Sequence, residues 1–151
     1  MNNVIPTLSA KEYLSQTFRI DQRINAKLEQ VENLRCRSTK TTATLSDTSV
    51  MYTRDAHSAD GIIVKLIDLE NEINADIDRL VDLKRDIYEV FRSIHDPELQ
   101  LLLELRYLCY KNWSEISVAL DLDDRYVYKL HGRALAEVEK SMMARAVKDI
   151  V

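Results

Sequence analysis

The sequence predicts an all-α protein: a long N-terminal helical hairpin or coiled coil, followed by a C-terminal helix-turn-helix. Three observations predict it. Only two glycines and two prolines punctuate 151 residues, too few turn formers for a many-stranded fold. Apolar residues recur at steps of three and four along two long stretches, the period of a helix buried on one face. Charged residues make up 30% of the chain, a proportion that suits long helices with solvated outer faces. With 46% hydrophobic residues the chain can bury a core, as one domain or as a small domain with an extension. The pattern divides into residues 1–95, a long-helix hairpin and oligomerisation region, and 96–151, the helix-turn-helix domain.

Residues 1–8 read as a short arm. Ser9 and Glu12 then stand three apart, the spacing of a capping box in which each side chain satisfies the other's backbone N–H. Leu14, Ile20, Ile24, Leu28, Val31 and Leu34 follow as an apolar stripe, so a helix is predicted over roughly 10–37. Residues 38–60 are dominated by Ser and Thr and keep no helical period. They read as a flexible loop with a short ordered piece near Val50–Tyr52. The stripe returns with Ile62, Leu66, Leu69, Ile73, Ile77, Leu80, Leu83, Ile87, Phe91 and Ile94. A helix over about 59–95 would run roughly 50 Å at 1.5 Å per residue. One narrow seam of that length needs the first helix folded back on it, a second copy of the chain, or both, so a homo-oligomer is expected.

Asp96-Pro97 restarts the chain, Asp as cap and Pro at the first helical position. Leu101, Leu102, Leu105 and Leu108 are the expected inner face of the helix that follows. Asn112 and Glu115 form a second capping box, opening a short helix that ends near Leu120. Asp123 caps a last helix running from Asp124 almost to the C-terminus. Within this third, Ile116, Ala119, Leu120, Leu122, Val127, Leu130, Ala134 and Leu135 are the expected interior. Ala119 and Ala134 supply small side chains where two helices cross, and Leu122 plugs the turn. The opposite face carries Arg125, Tyr128, Lys129 and Gly132. Arg and Lys reach phosphates or guanine edges, and Tyr donates to phosphate or packs on a thymine methyl. Gly132 costs a helix up to about 1 kcal/mol against Ala, which hints at a close approach there. Trp113 reads as a core anchor, and Arg106 and Tyr107 as braces beneath the motif.

The stretch EISVALDLDDRYVYKLHGRAL resembles the helix-turn-helix in the fourth conserved region of bacterial primary sigma factors, aligning without a gap from Ile116 to Leu135. LLLELRYL is similar to the helix that packs beneath that motif. The layout as a whole resembles small phage and prophage proteins of Gram-positive bacteria, among them late-gene transcriptional regulators. The resemblance covers most of residues 10–140 and is specific in the last third. It implies a DNA-binding regulator whose base-reading residues are Asp124, Arg125, Tyr128 and Lys129, with double-stranded DNA and host RNA polymerase as partners. Two features depart from the pattern. Asp121 stands where a turn glycine is usual, and Asp121, Asp123 and Asp124 crowd acid near the phosphate path. The resemblance does not reach the region that melts promoters, so a complete sigma factor is not implied.

Other classes find less support. The net charge of −4 argues against a non-specific nucleic-acid coat. It favours one alternative, a helical adaptor or virion assembly protein without DNA binding. A small terminase-like packaging subunit is the other alternative, since it too combines such a motif with oligomerising helices. Cys36 and Cys109 lie far apart, outside any CxxC spacing, and read as reduced thiols of a cytoplasmic protein. The N-terminus has no cationic start or apolar core, and no run approaches a membrane span. His57, His95 and His131 are not at ligand spacing. No phosphate-binding glycine loop or nucleophile constellation is legible, so neither enzyme, metal nor cofactor is expected.

Overall fold

The structure is a computed structural model that describes residues 8–44 and 59–150. Among them five α-helices follow in order: α1, Ala10–Thr44; α2, Ala59–Arg92; α3, Pro97–Leu103; α4, Trp113–Leu120; and α5, Asp124–Ile150. A π-helical turn, Glu104–Leu108, continues α3. No strand occurs among the described residues, and no helix there is long and apolar enough to cross a membrane. The packing resolves into two compact units. Among the described residues, one draws on 20–44 and 59–80, the other on 8–19 with 81–150.

The expected loop over 38–60 is corrected at its start, while the second helix begins where its period predicts. α1 runs on to Thr44, and α2 begins at Ala59. Serine and threonine disfavour a helix by only about half a kcal/mol each, and Thr39 returns its hydroxyl to the Arg35 carbonyl at 3.0 Å. Ser38 also falls four residues after Leu34, in step with the stripe. The expected ordered piece near Val50–Tyr52 lies outside the described residues. α2 ends at Arg92 rather than near His95, where the Ser93 and Ile94 amides tighten onto the carbonyls three residues back.

In the Ile20–Leu80 unit, α1 and α2 lie antiparallel, as Lys27–Asp76 and Arg35–Glu70 pairs show. Ile20, Ile24 and Val31 are buried against Ile62, Ile73 and Leu80, with Leu34, Leu66 and Leu69 half-buried. The helices therefore meet along a seam stepping four, three, four, three on both sides, as in a coiled coil. Two expected seam residues are not in it. Leu28 is 48% exposed and Ile77 is 40% exposed. Lys27 and Asp76 occupy the inward positions instead, with Lys27 Nζ 2.6 Å from Asp76 Oδ2 and 3.4 Å from Glu72. The reason is an ambiguity of spacing. Between Ile24 and Val31 either 27 or 28 satisfies the period, and between Ile73 and Leu80 either 76 or 77 does. Apolar preference selects Leu28 and Ile77; the seam selects the neighbours, because the two opposite charges meet there. The hydrogen bond to Asp76 raises the Lys27 pKa above its usual value, and the bond from Lys27 holds the Asp76 carboxyl below the usual carboxylate range. Both groups remain charged.

The other unit has one dense core. Ala10 and Leu14 from α1 meet Ile87, Val90, Phe91 and Ile94 from α2, Leu99, Leu102 and Leu103 from α3, and inward residues of α4 and α5. Each large aliphatic side chain fully buried here contributes about 1.5–3 kcal/mol. Both predicted starts are present: Ser9 and Glu12 exchange backbone hydrogen bonds, and Asp96 accepts from the Glu98 amide with Pro97 at the first position. The expected inner face of α3 is corrected. Leu101 is exposed, Leu105 and Leu108 are only half-buried, and Leu99, Leu102 and Leu103 fill the core. A regular helix with that face would next bury residue 106. The π turn inserts one residue, marked by the Cys109 amide bonding the Glu104 carbonyl at 3.0 Å. The inward position consequently passes to Tyr107 and releases Arg106 outward. Thr17, itself buried, donates to the Leu14 and Tyr107 carbonyls at 3.0 and 2.9 Å.

Candidate nucleic-acid interface

The candidate interface lies on α4, a three-residue turn and α5. Asn112 accepts from the Glu115 amide at 2.8 Å, and the Glu115 carboxylate accepts from the Asn112 amide at 2.9 Å, so α4 opens on the capping box its sequence predicts. It closes at Asp121, whose φ of 53° and ψ of 50° are left-handed. The Leu122 amide bonds the Ser117 carbonyl and the Asp121 amide bonds the Val118 carbonyl, at 3.0 and 3.2 Å. This nested pair is the Schellman motif, which redirects the chain where glycine is usual. Aspartate tolerates the left-handed region better than most residues, so the substitution leaves the turn intact. Ser117 adds a hydroxyl bond to the Leu122 carbonyl at 2.5 Å.

The turn sets α5 on the core. Val127, Leu130, His131, Ala134 and Val138 are buried, a single inward face, with Ile116 of α4 beside them. Leu122 and Leu135 pack half-buried against it. Ala119 does not lie in the crossing and is exposed; Ile116 fills the space, and Ala134 alone provides the small side chain. Among the described residues nothing lies within 4 Å of where a Cβ would stand on Gly132, so no close approach among them accounts for that glycine.

All four residues proposed for DNA contact, Asp124, Arg125, Tyr128 and Lys129, are exposed on the first two turns of α5. Arg125 and Lys129 stand one turn apart, and neither is held by an acidic side chain among the described residues. Arg133, which the sequence reading omitted, extends the row by another turn and is likewise exposed and unpaired. Its signal was the step of four from 125 to 129 to 133. The row spans about 12 Å of helix, close to the width of a DNA major groove of about 12 Å. Asp124 sits at the first position of α5, where a carboxylate stabilises the positive end of the helix dipole. Beside a phosphate it would repel; toward a base it can only accept, as from a cytosine amino group.

Tyr128 is held rather than free. Its ring centroid lies 5.0 Å from that of Trp113, which also meets His131 at 4.6 Å and carries the Arg106 guanidinium 4.5 Å above its ring. Arg106 in turn donates to the Lys111 carbonyl at 3.0 Å. Trp113 is thus an anchor, with Arg106 bracing it. Beneath it, Tyr107 and His131 share a buried hydrogen bond of 2.7 Å between the hydroxyl and Nε2. Burial, helped by the nearby Arg106 and Lys11 charges, pushes the His131 pKa down to about 4, so the ring is neutral. Burial also raises the Tyr107 pKa. The histidine's inward place was missed by sequence reading, because one polar residue beside Leu130 looks like the edge of a solvated face. Among the described residues no group of His, Cys, Asp and Glu is placed to hold a metal ion, and Cys36 and Cys109 are free thiols.

No family model, curated protein or solved structure matches the chain.

Proposed function

We propose that the chain is a DNA-binding transcriptional regulator of the phage or prophage kind, acting as a homo-oligomer and docking α5 in a major groove of double-stranded DNA. The observation that carries this reading is the row Arg125, Lys129 and Arg133, exposed and without an acidic partner among the described residues, on the helix that the Asp121 turn sets apart from α4. In it, Arg125 and Lys129 supply phosphate or guanine contacts, and Tyr128, resting on the Trp113 ring, packs in the groove or donates to a phosphate. Asp121, Asp123 and Asp124 subtract from non-specific affinity and leave discrimination to base edges. Contact with host RNA polymerase belongs to the same reading and rests on the resemblance to the sigma-factor motif.

The test is selection of bound fragments from the source genome at two salt concentrations, repeated with an R125A/K129A double variant. The expected result is enrichment upstream of late genes, lost in the variant, with the salt slope of binding falling by roughly one for each phosphate contact removed. Enrichment at a packaging site would point to a small terminase instead. A second reading, an adaptor or assembly protein, is favoured by the exposed Met143, Val147 and Ile150 along the end of α5. It predicts no enrichment and no effect of the double variant.

A further inference from the structure

The seam that suggested an oligomer is closed by α1, yet α2 carries a second stripe roughly 100° further round. Ile63, Ile67 and Ile77 are exposed there, 40–52% each, in step with Glu70 and Asn74 at intervals of four, three, four and three. Leu28 and Arg35 of α1 border the same side, across a groove shared with Glu70 and Asn74. Val64, Val81 and Tyr88 of α2 are exposed too, but the three isoleucines recur on one side of the helix, and apolar surface gathered on one side suits a binding surface.

We propose that this stripe is the interface between two copies of the chain, packed antiparallel about a two-fold axis midway between Glu70 and Asn74. The order of chemistry along it identifies the occupant. From Ile67 to Ile77 it reads apolar, acid, amide, apolar, which is nearly the same in both directions. A two-fold interface must be complementary to itself. Antiparallel packing sets Ile67 against Ile77 of the partner subunit and Glu70 against Asn74 of the partner subunit. The amide then donates to a carboxylate that Arg35 of its own chain already neutralises at 3.4 Å. Parallel packing would set Glu70 on Glu70 of the partner subunit, two acceptors with no donor between them. A polar pair within an apolar row fixes register, as single polar residues do in coiled coils. The displacement of Leu28 and Ile77 from the internal seam by Lys27 and Asp76 has the same consequence: it turns two apolar side chains toward this face.

The inference stands independently of DNA binding. Sedimentation equilibrium of the full chain should show a dimer, and I67E/I77E should weaken self-association at least tenfold while circular dichroism keeps its helical content. In a chain with both native cysteines replaced by serine, mixing E70C with N74C should give a crosslink between the two variants under mild oxidation, in preference to either self-pair. That second measurement needs no charged substitution in the stripe. A monomeric wild type, a dimer indifferent to I67E/I77E, or a predominant N74C self-pair would each overturn the proposal.

Discussion

The α1–α2 seam and the core around Phe91 are both made of helices on helices, but they manage polarity in opposite ways. The seam admits a charged pair, Lys27 and Asp76, at inward positions and leaves leucine and isoleucine outside. Among the described residues, the buried polar groups of the core around Phe91 are uncharged and hydrogen-bonded, Thr17 on backbone carbonyls and His131 on Tyr107, with the imidazole kept neutral. The difference teaches where specificity comes from. Two helices alone slide easily along a regular apolar seam, and an ion pair pins one register. A core assembled from five helical segments is fixed by shape, so its polar groups need only be satisfied.

The largest expected effect separates the two regions by packing. Phe91→Ala empties a fully buried site and should lower stability by about 3–5 kcal/mol. Ile73→Ala, in the narrower seam, should cost nearer 2 kcal/mol. Because Trp113 is the only tryptophan and lies on the core side, its fluorescence transition should shift strongly in the first variant. Helical signal by circular dichroism should report the second. Equal shifts in both probes for both variants would erase the contrast.

A smaller effect tests the ion pair. Asp76→Ala leaves the Lys27 charge at an inward position without its closest partner and should lower the thermal midpoint. A K27L/D76L double variant should recover most of that loss, since an apolar pair restores the seam. If the double variant is worse than the single one, the pair contributes more than register.

The smallest effect is a difference in acid response. His131 has its pKa depressed to about 4 from an ordinary 6.5, so its neutral form is the one the fold prefers. Its contribution is complete above pH 6.5 and declines as pH falls toward 4. Asp76 is also depressed, from an ordinary value near 3.8; its contribution holds above that value and is lost only at lower pH. Acid titration followed at Trp113 should therefore begin to weaken the core side while the seam is unaffected, and His131→Gln should flatten that first phase. A seam that melts first would reverse the assignment.

The features legible from residue order alone are local. The helices, the boxes Ser9–Glu12 and Asn112–Glu115, the Asp96-Pro97 restart and the turn at Asp121 depend on residues within one helical turn of each other, and the inward face of α5 at Val127, Leu130 and Ala134 follows from its period. The exposed places of Arg125, Tyr128 and Lys129 follow from the same period. Which of two adjacent residues turns inward was settled by packing between helices. Lys27 rather than Leu28, Asp76 rather than Ile77, Tyr107 rather than the next regular position, and His131 beside Leu130 were chosen by partners 24 to 49 residues away and by one π turn. A helical period tolerates a step of three or four equally well, so the choice belongs to whatever side chain waits on the facing helix.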